Sequence, residues 1–341
     1  ETARIIVLKE SDWSIESNTV VSGSGDYEIE NLAVGNKFVS AMKIDGEGLC
    51  YGHVVAQEYT VPDRGVFGGG GNSNTIDYIT ISSTGNATDF GDLTVARQNL
   101  VATSNGSENR GGFVGGINMN TIDYITINSL GDATDFGDLV VETYGRGGTS
   151  NGLNNRGVFG GGYDPRLTDI DYITISSTGN AQDFGDLTVA KGYISAVSNA
   201  TNNRGVFSPD NISFPLRMDY ITISTTGNAT IFGDLVESRR MTGATSNGTN
   251  NRGVFGGGES YQNIIDYITI SSTGNSTDFG DLTVGRTRPG ATSDGINDRG
   301  IFGAGGGDGY VIDYITITST GNATDFGDLT VSRIPTATSN A

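Results

Sequence analysis

One motif, returning six times, constrains this chain more than any other feature. Arg64-Gly65-Val66-Phe67 recurs with variation at Arg110, Arg156, Arg204, Arg252 and Arg299, at spacings of 46, 46, 48, 48 and 47 residues by subtraction. Around it lies a four-part unit. A small polar run such as Ala102-Thr103-Ser104-Asn105 comes first, then Arg-Gly-Val-Phe-Gly-Gly, then Ile-Asp-Tyr-Ile-Thr-Ile as at Ile76–Ile81, and last Asp-Phe-Gly-Asp-Leu as at Asp89–Leu93. In Ile76–Ile81 the β-branched and aromatic residues alternate as they do in a half-buried strand. Ser83-Thr84-Gly85-Asn86 and Ser104-Asn105-Gly106 are turn chemistry. No stretch of the repeat has the 3.6-residue apolar period of an amphipathic helix. A period of 40–50 residues holding four short strands is the signature of a propeller blade. The expected fold is therefore all-β, a six-bladed β-propeller over residues 63–341.

The two ends of the repeat region predict how the ring closes. Tyr59-Thr60-Val61-Pro62-Asp63, ahead of the first repeat, lacks the Ala-Thr-Ser-Asn strand, whereas the chain finishes on Thr336-Ala337-Thr338-Ser339-Asn340. Residues 335–341 should supply the innermost strand of blade one, leaving no large open edge. Runs such as Gly243-Ala244-Thr245-Ser246 are small because six inner strands converge on the axis.

These blades resemble the kelch repeat. The resemblance rests on the Gly pairs Gly68-Gly69, Gly115-Gly116, Gly160-Gly161 and Gly256-Gly257, on the apolar third strand, and on Phe90, Phe136, Phe184, Phe232, Phe279 and Phe326, where kelch blades usually carry Trp. Blade four departs with Ser208-Pro209-Asp210, and blade six with Gly303-Ala304-Gly305. Residues 1–62 are of another kind. Strands are expected at Arg4–Leu8, Tyr27–Ile29, Lys37–Lys43 and His53–Ala56, with a hairpin turn at Asp45–Gly48. Gly25, Tyr27, Ile29, Leu32, Gly35, Ala41, Asp45, Tyr51 and Gly52 make this segment similar to the carboxypeptidase-regulatory or transthyretin-like β-sandwich domains of phage tail and virion proteins. The first strand of that family has no counterpart and the chain opens at Glu1 rather than Met, so further sequence is expected upstream.

Composition narrows the function. With 39 Asp+Glu against 20 Lys+Arg the formal net charge is −19, which repels nucleic acid and anionic membranes. No run reaches the ~18–20 apolar residues of a membrane helix. One cysteine, Cys50, and one histidine, His53, both before the propeller, cannot build the copper centre of the galactose-oxidase group. The single Trp13 excludes the Asp-box pattern of sialidases. Residues repeated in every blade meet needs repeated in every blade. Tyr of the Asp-Tyr pairs (Asp77-Tyr78 and its equivalents) should pack between blades, and the repeat Arg should meet one of the repeated carboxylates. No catalytic residue, metal site or cofactor is expected.

Function sits where repeats disagree. The loops after the Gly pairs carry Tyr163, Asp164, Phe214, Arg217, Tyr261 and Tyr310, residue types that suit sugar recognition by stacking and hydrogen bonding. Blade four, with Asp210–Arg217, is the expected focus. A second variable loop (Arg97-Gln98-Asn99-Leu100, Tyr144-Gly145-Arg146, Lys191-Gly192-Tyr193-Ile194, Arg239-Arg240-Met241) carries basic residues and is expected towards the other end of the blades, as a docking face. The near-identity of the blades is similar to that of repeats in virion proteins of aquatic phages. That resemblance implies a non-enzymatic virion appendage, a tail fibre, capsid fibre or decoration protein. Its partners would be other virion proteins, its own copies or a host surface glycan. The alternative is a bacterial surface adhesin or lectin.

Overall fold

The computed structural model describes residues 63–339, apart from 106–108, 151, 153–154, 200–202, 211–215, 247–250 and 294–297, together with the backbone of four strands in residues 1–62. The chain divides into two compact units, Glu1–Pro62 and Asp63–Ala341.

In the first unit β1 (Thr2–Lys9), β2 (Ile15–Ser22), β3 (Lys37–Asp45) and β4 (Gly48–Gly52) form one antiparallel sheet in the order β2-β1-β3-β4. Asp45 pairs with Gly48 across the expected hairpin turn. The strand after that turn runs over Gly48–Gly52, and the strands expected at Tyr27–Ile29 and His53–Ala56, with any second layer of a sandwich, lie outside the described residues.

The second unit is a six-bladed β-propeller, six four-stranded antiparallel sheets each built from one repeat. Blade one contains β5 (Arg64–Gly68), β6 (Thr75–Thr80) and β7 (Thr88–Asp92). Its innermost strand is Thr336–Ser339, which pairs with β5 from Thr336↔Gly68 to Ser339↔Gly65. The last residues of the chain thus close the ring on its first strand.

Each repeated residue has a packing task. Between the third and outer strands of every blade the register slips at the same place: Ile76 faces Gly91, Asp77 faces Asp89, and Phe90 is the extra residue. This bulge turns Phe90 inwards, where it meets Tyr78 edge-on at 6.1 Å and is buried. Gly91 is needed beside it. A Cβ there would lie 2.5 Å from the Gly131 carbonyl oxygen at a φ of +149°, because the turn of blade two docks on this edge. The amides of Gly131 and Ala133 donate to Phe90 and Asp92. The same clasp recurs at Gly85, Gly179, Gly227, Gly274 and Gly321. Every outer strand, which would otherwise present unpaired backbone, is covered by its neighbour's turn.

The repeat arginines, expected to meet a repeated carboxylate, stack on the tyrosines of the Asp-Tyr pairs. Arg64 lies over Tyr78 of its own blade and donates to the Ile127 carbonyl of the next at 2.9 Å. The other five repeat the arrangement, with guanidinium-to-ring distances between 4.4 and 4.7 Å and bonds to the next Ile carbonyl. The guanidinium is flat, so it can stack on a ring and still reach across a blade boundary. The carboxylates are met by a second set of cations, from the loops that lead into each inner strand. Arg97–Asp123, Arg146–Asp171, Lys191–Asp219, Arg239–Asp266 and Arg333–Asp77 stand at 2.7–2.9 Å, and Arg286 pairs with Asp313. All twelve are buried. Thus one buried ion pair sits at every blade boundary, a ring the repeat pattern did not reveal because its cations lie in the variable loops.

Candidate functional site

Antiparallel strands alternate in direction, so the loop joining the second and third strands and the loop leading to the next blade emerge on the same face. The expectation that they lie at opposite ends is corrected by the hydrogen bonds between them. Gly70 donates to the Arg97 carbonyl at 2.9 Å, Tyr163 to Tyr144 at 2.8 Å, Glu259 to Arg240 at 2.9 Å and Gly306 to Thr287 at 2.8 Å. The variable residues of both loop sets therefore share one surface.

At its centre the inner loops form a crown. Asn99, Gly145, Tyr193, Met241 and Arg288 take φ values of +61°, +68°, +57°, +61° and +53°, a conformation that costs non-glycine residues roughly 1 kcal/mol or more. What holds them there is a chain of backbone hydrogen bonds around the mouth: Gly145 N–H to Asn99 O, Tyr193 to Gly145, Met241 to Tyr193 and Arg288 to Met241, at 2.7–3.3 Å. The loop before the closing strand carries Pro335 at this level. Beneath the crown lies an axial cavity of about 130 Å³, floored by Ala102, Gly148, Ala196, Ala244, Ala291 and Ala337. These are the small inner-strand residues that converge on the axis. Towards the opposite face Ser198, Ser246, Ser293 and Ser339 each donate to the carbonyl of the equivalent serine in the preceding blade.

Beside the cavity three loops bring their tyrosines together. The Tyr163 and Tyr193 rings lie 4.5 Å apart at 38°, and Tyr144 stands 5.6 Å from Tyr163 and 5.8 Å from Tyr193. Three guanidiniums surround them: Arg166 at 5.2 Å from the Tyr163 ring, Arg240 at 5.4 Å and Arg288 at 4.7 Å from that of Tyr193. Arg166 pairs with Asp210 at 2.8 Å, Arg240 with Glu259 at 2.7 Å, and Arg288 donates to the side-chain oxygen of Asn99. Burial pushes the Tyr144 hydroxyl up to about 12, with Tyr193 and Asp164 adding to the rise, so it stays a neutral donor. The hydrogen bond that Arg240 donates to the Glu259 carboxylate holds its guanidinium above its usual range. Such a cluster offers stacking faces and cationic N–H donors to an oxygen-rich ligand.

The five described residues among the six expected to bind do not form one site. Tyr163 joins the cluster. Asp164 beside it is exposed, with a φ of +65°. Tyr261 is 60% exposed and its ring reaches the blade-six loop at Gly306 and Gly307. Tyr310 is 47% exposed, its amide bonded to Asp308. Arg217 opens the third strand of blade four, where its carbonyl accepts a bond from Lys191. Phe214 lies outside the described residues. In the blade-four departure Ser208 bonds to Ser195 of its own blade, and Asp210 is buried against Arg166 of blade three, so both serve packing. Tyr144, Tyr193, Arg240 and Arg288 were not singled out as binding residues. Tyr144, Tyr193 and Arg240 stand among the aromatic and basic residues of the second variable loop, and only the shared face gives that signal meaning. No protein-family model and no curated protein matches this chain.

Proposed function

We propose that the propeller is the display head of a non-enzymatic virion appendage, a phage tail fibre, capsid fibre or decoration protein that binds host surface glycan or protein through its loop face. The reading is carried by one observation: the aromatic and guanidinium cluster beside the axial cavity is assembled from residues that differ between blades. The repeated residues are absorbed by blade packing, as in the Arg64–Tyr78 stack and the Arg97–Asp123 pair, so recognition falls to the variable ones. The kelch-like Gly and Phe pattern and the sandwich-like front segment support the assignment by resemblance. The acidic surface, at net −19, suits a particle that stays dispersed. Mass spectrometry of purified particles tests the assignment: the chain should be a stoichiometric virion component. Recovery from a bacterial envelope fraction alone would replace the virion by the alternative, a surface adhesin or lectin.

A further inference from the structure

We infer that the mouth of the axial cavity binds a carboxylated sugar residue, with the carboxylate held by Arg288; this deepens the glycan-binding reading and rests on it. Charge bookkeeping on the loop face leads to Arg288. The ring cations, Arg166 and Arg240 each face a carboxylate. Among the described residues Arg288 faces none. Its guanidinium lies on Tyr193 at 4.7 Å and gives one N–H to neutral Asn99, while its Nε–H is buried with no hydrogen-bond partner. Arg240, against the same ring, has Nε and Nη1 in the same condition. Leaving buried charged donors unmade costs more than leaving neutral ones, and three of them converge on one tyrosine at the rim of a cavity. The edge of a guanidinium is shaped for a carboxylate, which takes two parallel N–H bonds.

The size and lining of the cavity choose the rest of the ligand. About 130 Å³ is well below the roughly 300–1,000 Å³ of a drug-sized pocket and suits a single ring. The walls below the crown are small inner-strand residues and exclude a bulky apolar anchor. The crown supplies the backbone carbonyls of Asn99, Tyr193 and Met241, each already taking one bond and each with a second lone pair. Sugar hydroxyls donate to such acceptors, and a ring carboxylate meets the Arg288 guanidinium. Arg288 and Arg240 stack on Tyr193, and Tyr163 backs Tyr193, so both cations are fixed before the ligand arrives.

Calorimetry on the full chain tests this with glucuronic acid and N-acetylneuraminic acid, their methyl esters, glucose, and an acidic peptide. The expected result is binding of at least one free acid, with its ester weaker by about tenfold or more, and weakening as salt rises. Arg288→Ala should abolish binding and Arg288→Lys should reduce it by about tenfold, because a point charge replaces the fork. Melting temperature serves as the folding control. Should either variant melt early, the Asn99→Ala variant, which frees the guanidinium without removing it, must still bind the acid and not the ester. Equal affinity for acid and ester, undiminished binding by Arg288→Ala, or binding of the peptide but of neither acid would overturn the inference. So would no binding at all. Neutral glycan bound independently of Arg288 would sink the inference alone and leave the appendage reading standing, whereas absence of the chain from virions would sink that reading alone.

Discussion

At the residue scale the six buried ion pairs are alike in plan but not in support. Thr94, Thr188, Thr283 and Thr330 each donate a hydroxyl to the carboxylate beside them, at 2.6 Å. The corresponding position beside Asp266 is Val236, which is 54% exposed, and its amide donates to Ser276 instead. Asp266 therefore relies on Arg239 alone for its charge, and burial pushes it up to about 6. The unfolded value is about 3.9, so between pH 4 and 6 the native state holds more protons and stability falls as pH rises. Val236→Thr should supply the missing donor. We expect it to add about 1–2 kcal/mol at pH 7 and nothing near pH 4, where Asp266 is neutral in both proteins. Urea unfolding at the two pH values checks this, and an equal gain at both would show that the hydroxyl does not reach the carboxylate.

At the element scale the repeats compensate for one another's departures. In blades one, three, five and six a Phe ring of the next blade rests against the glycine that ends the second strand, as Phe113 does against Gly68. Blade two places Val114 there, and Phe159 of blade three leans instead on Gly148, where every other inner strand has Ala. Restoring Ala at 148 puts a Cβ 2.7 Å from Val101 Cγ2 and 3.2 Å from the Phe159 ring. Gly148→Ala should cost about 1–3 kcal/mol by overpacking, and Val114→Gly in the same protein should recover part of it. A double-mutant cycle measures the coupling; additivity would mean that the two departures are unrelated. Much of this architecture was legible in sequence. Strands and closing strand repeat as near-identical strings, and identical strings carry period and order plainly. The sidedness of the loops follows from counting alternating strands rather than from loop residues, because strand direction leaves no mark on the composition of a loop. The tyrosine cluster was not legible, since Tyr144, Tyr163 and Tyr193 come from three loops and meet only once the ring has closed.

At the scale of the whole propeller, closure joins what would otherwise be two free edges. The strand Thr336–Ser339 pairs with β5, contributes Ala337 to the cavity floor and adds Ser339 to the serine ladder. Just before it, Arg333 is buried against Asp77 of blade one. Deleting residues 335–341 spares that ion pair but removes the strand and exposes the backbone of β5. We expect a lower melting temperature together with concentration-dependent association, read by calorimetry and size-exclusion chromatography. Unchanged melting would mean that the ring holds without its closing strand.

The direction of these strands also decides how the propeller would carry a load. β5 runs from Arg64 towards the crown, and Ser339 lies opposite Gly65. The chain therefore enters and leaves the propeller on the side away from the cavity. A pull between the mouth and residue 63 would stretch the propeller along its axis. The force would enter on β5, which is neither an innermost nor an outermost strand and is hydrogen-bonded along both flanks, to Thr336–Ser339 and to β6. Such a strand is loaded in shear, with many bonds sharing the tension at once, rather than peeled bond by bond from an edge.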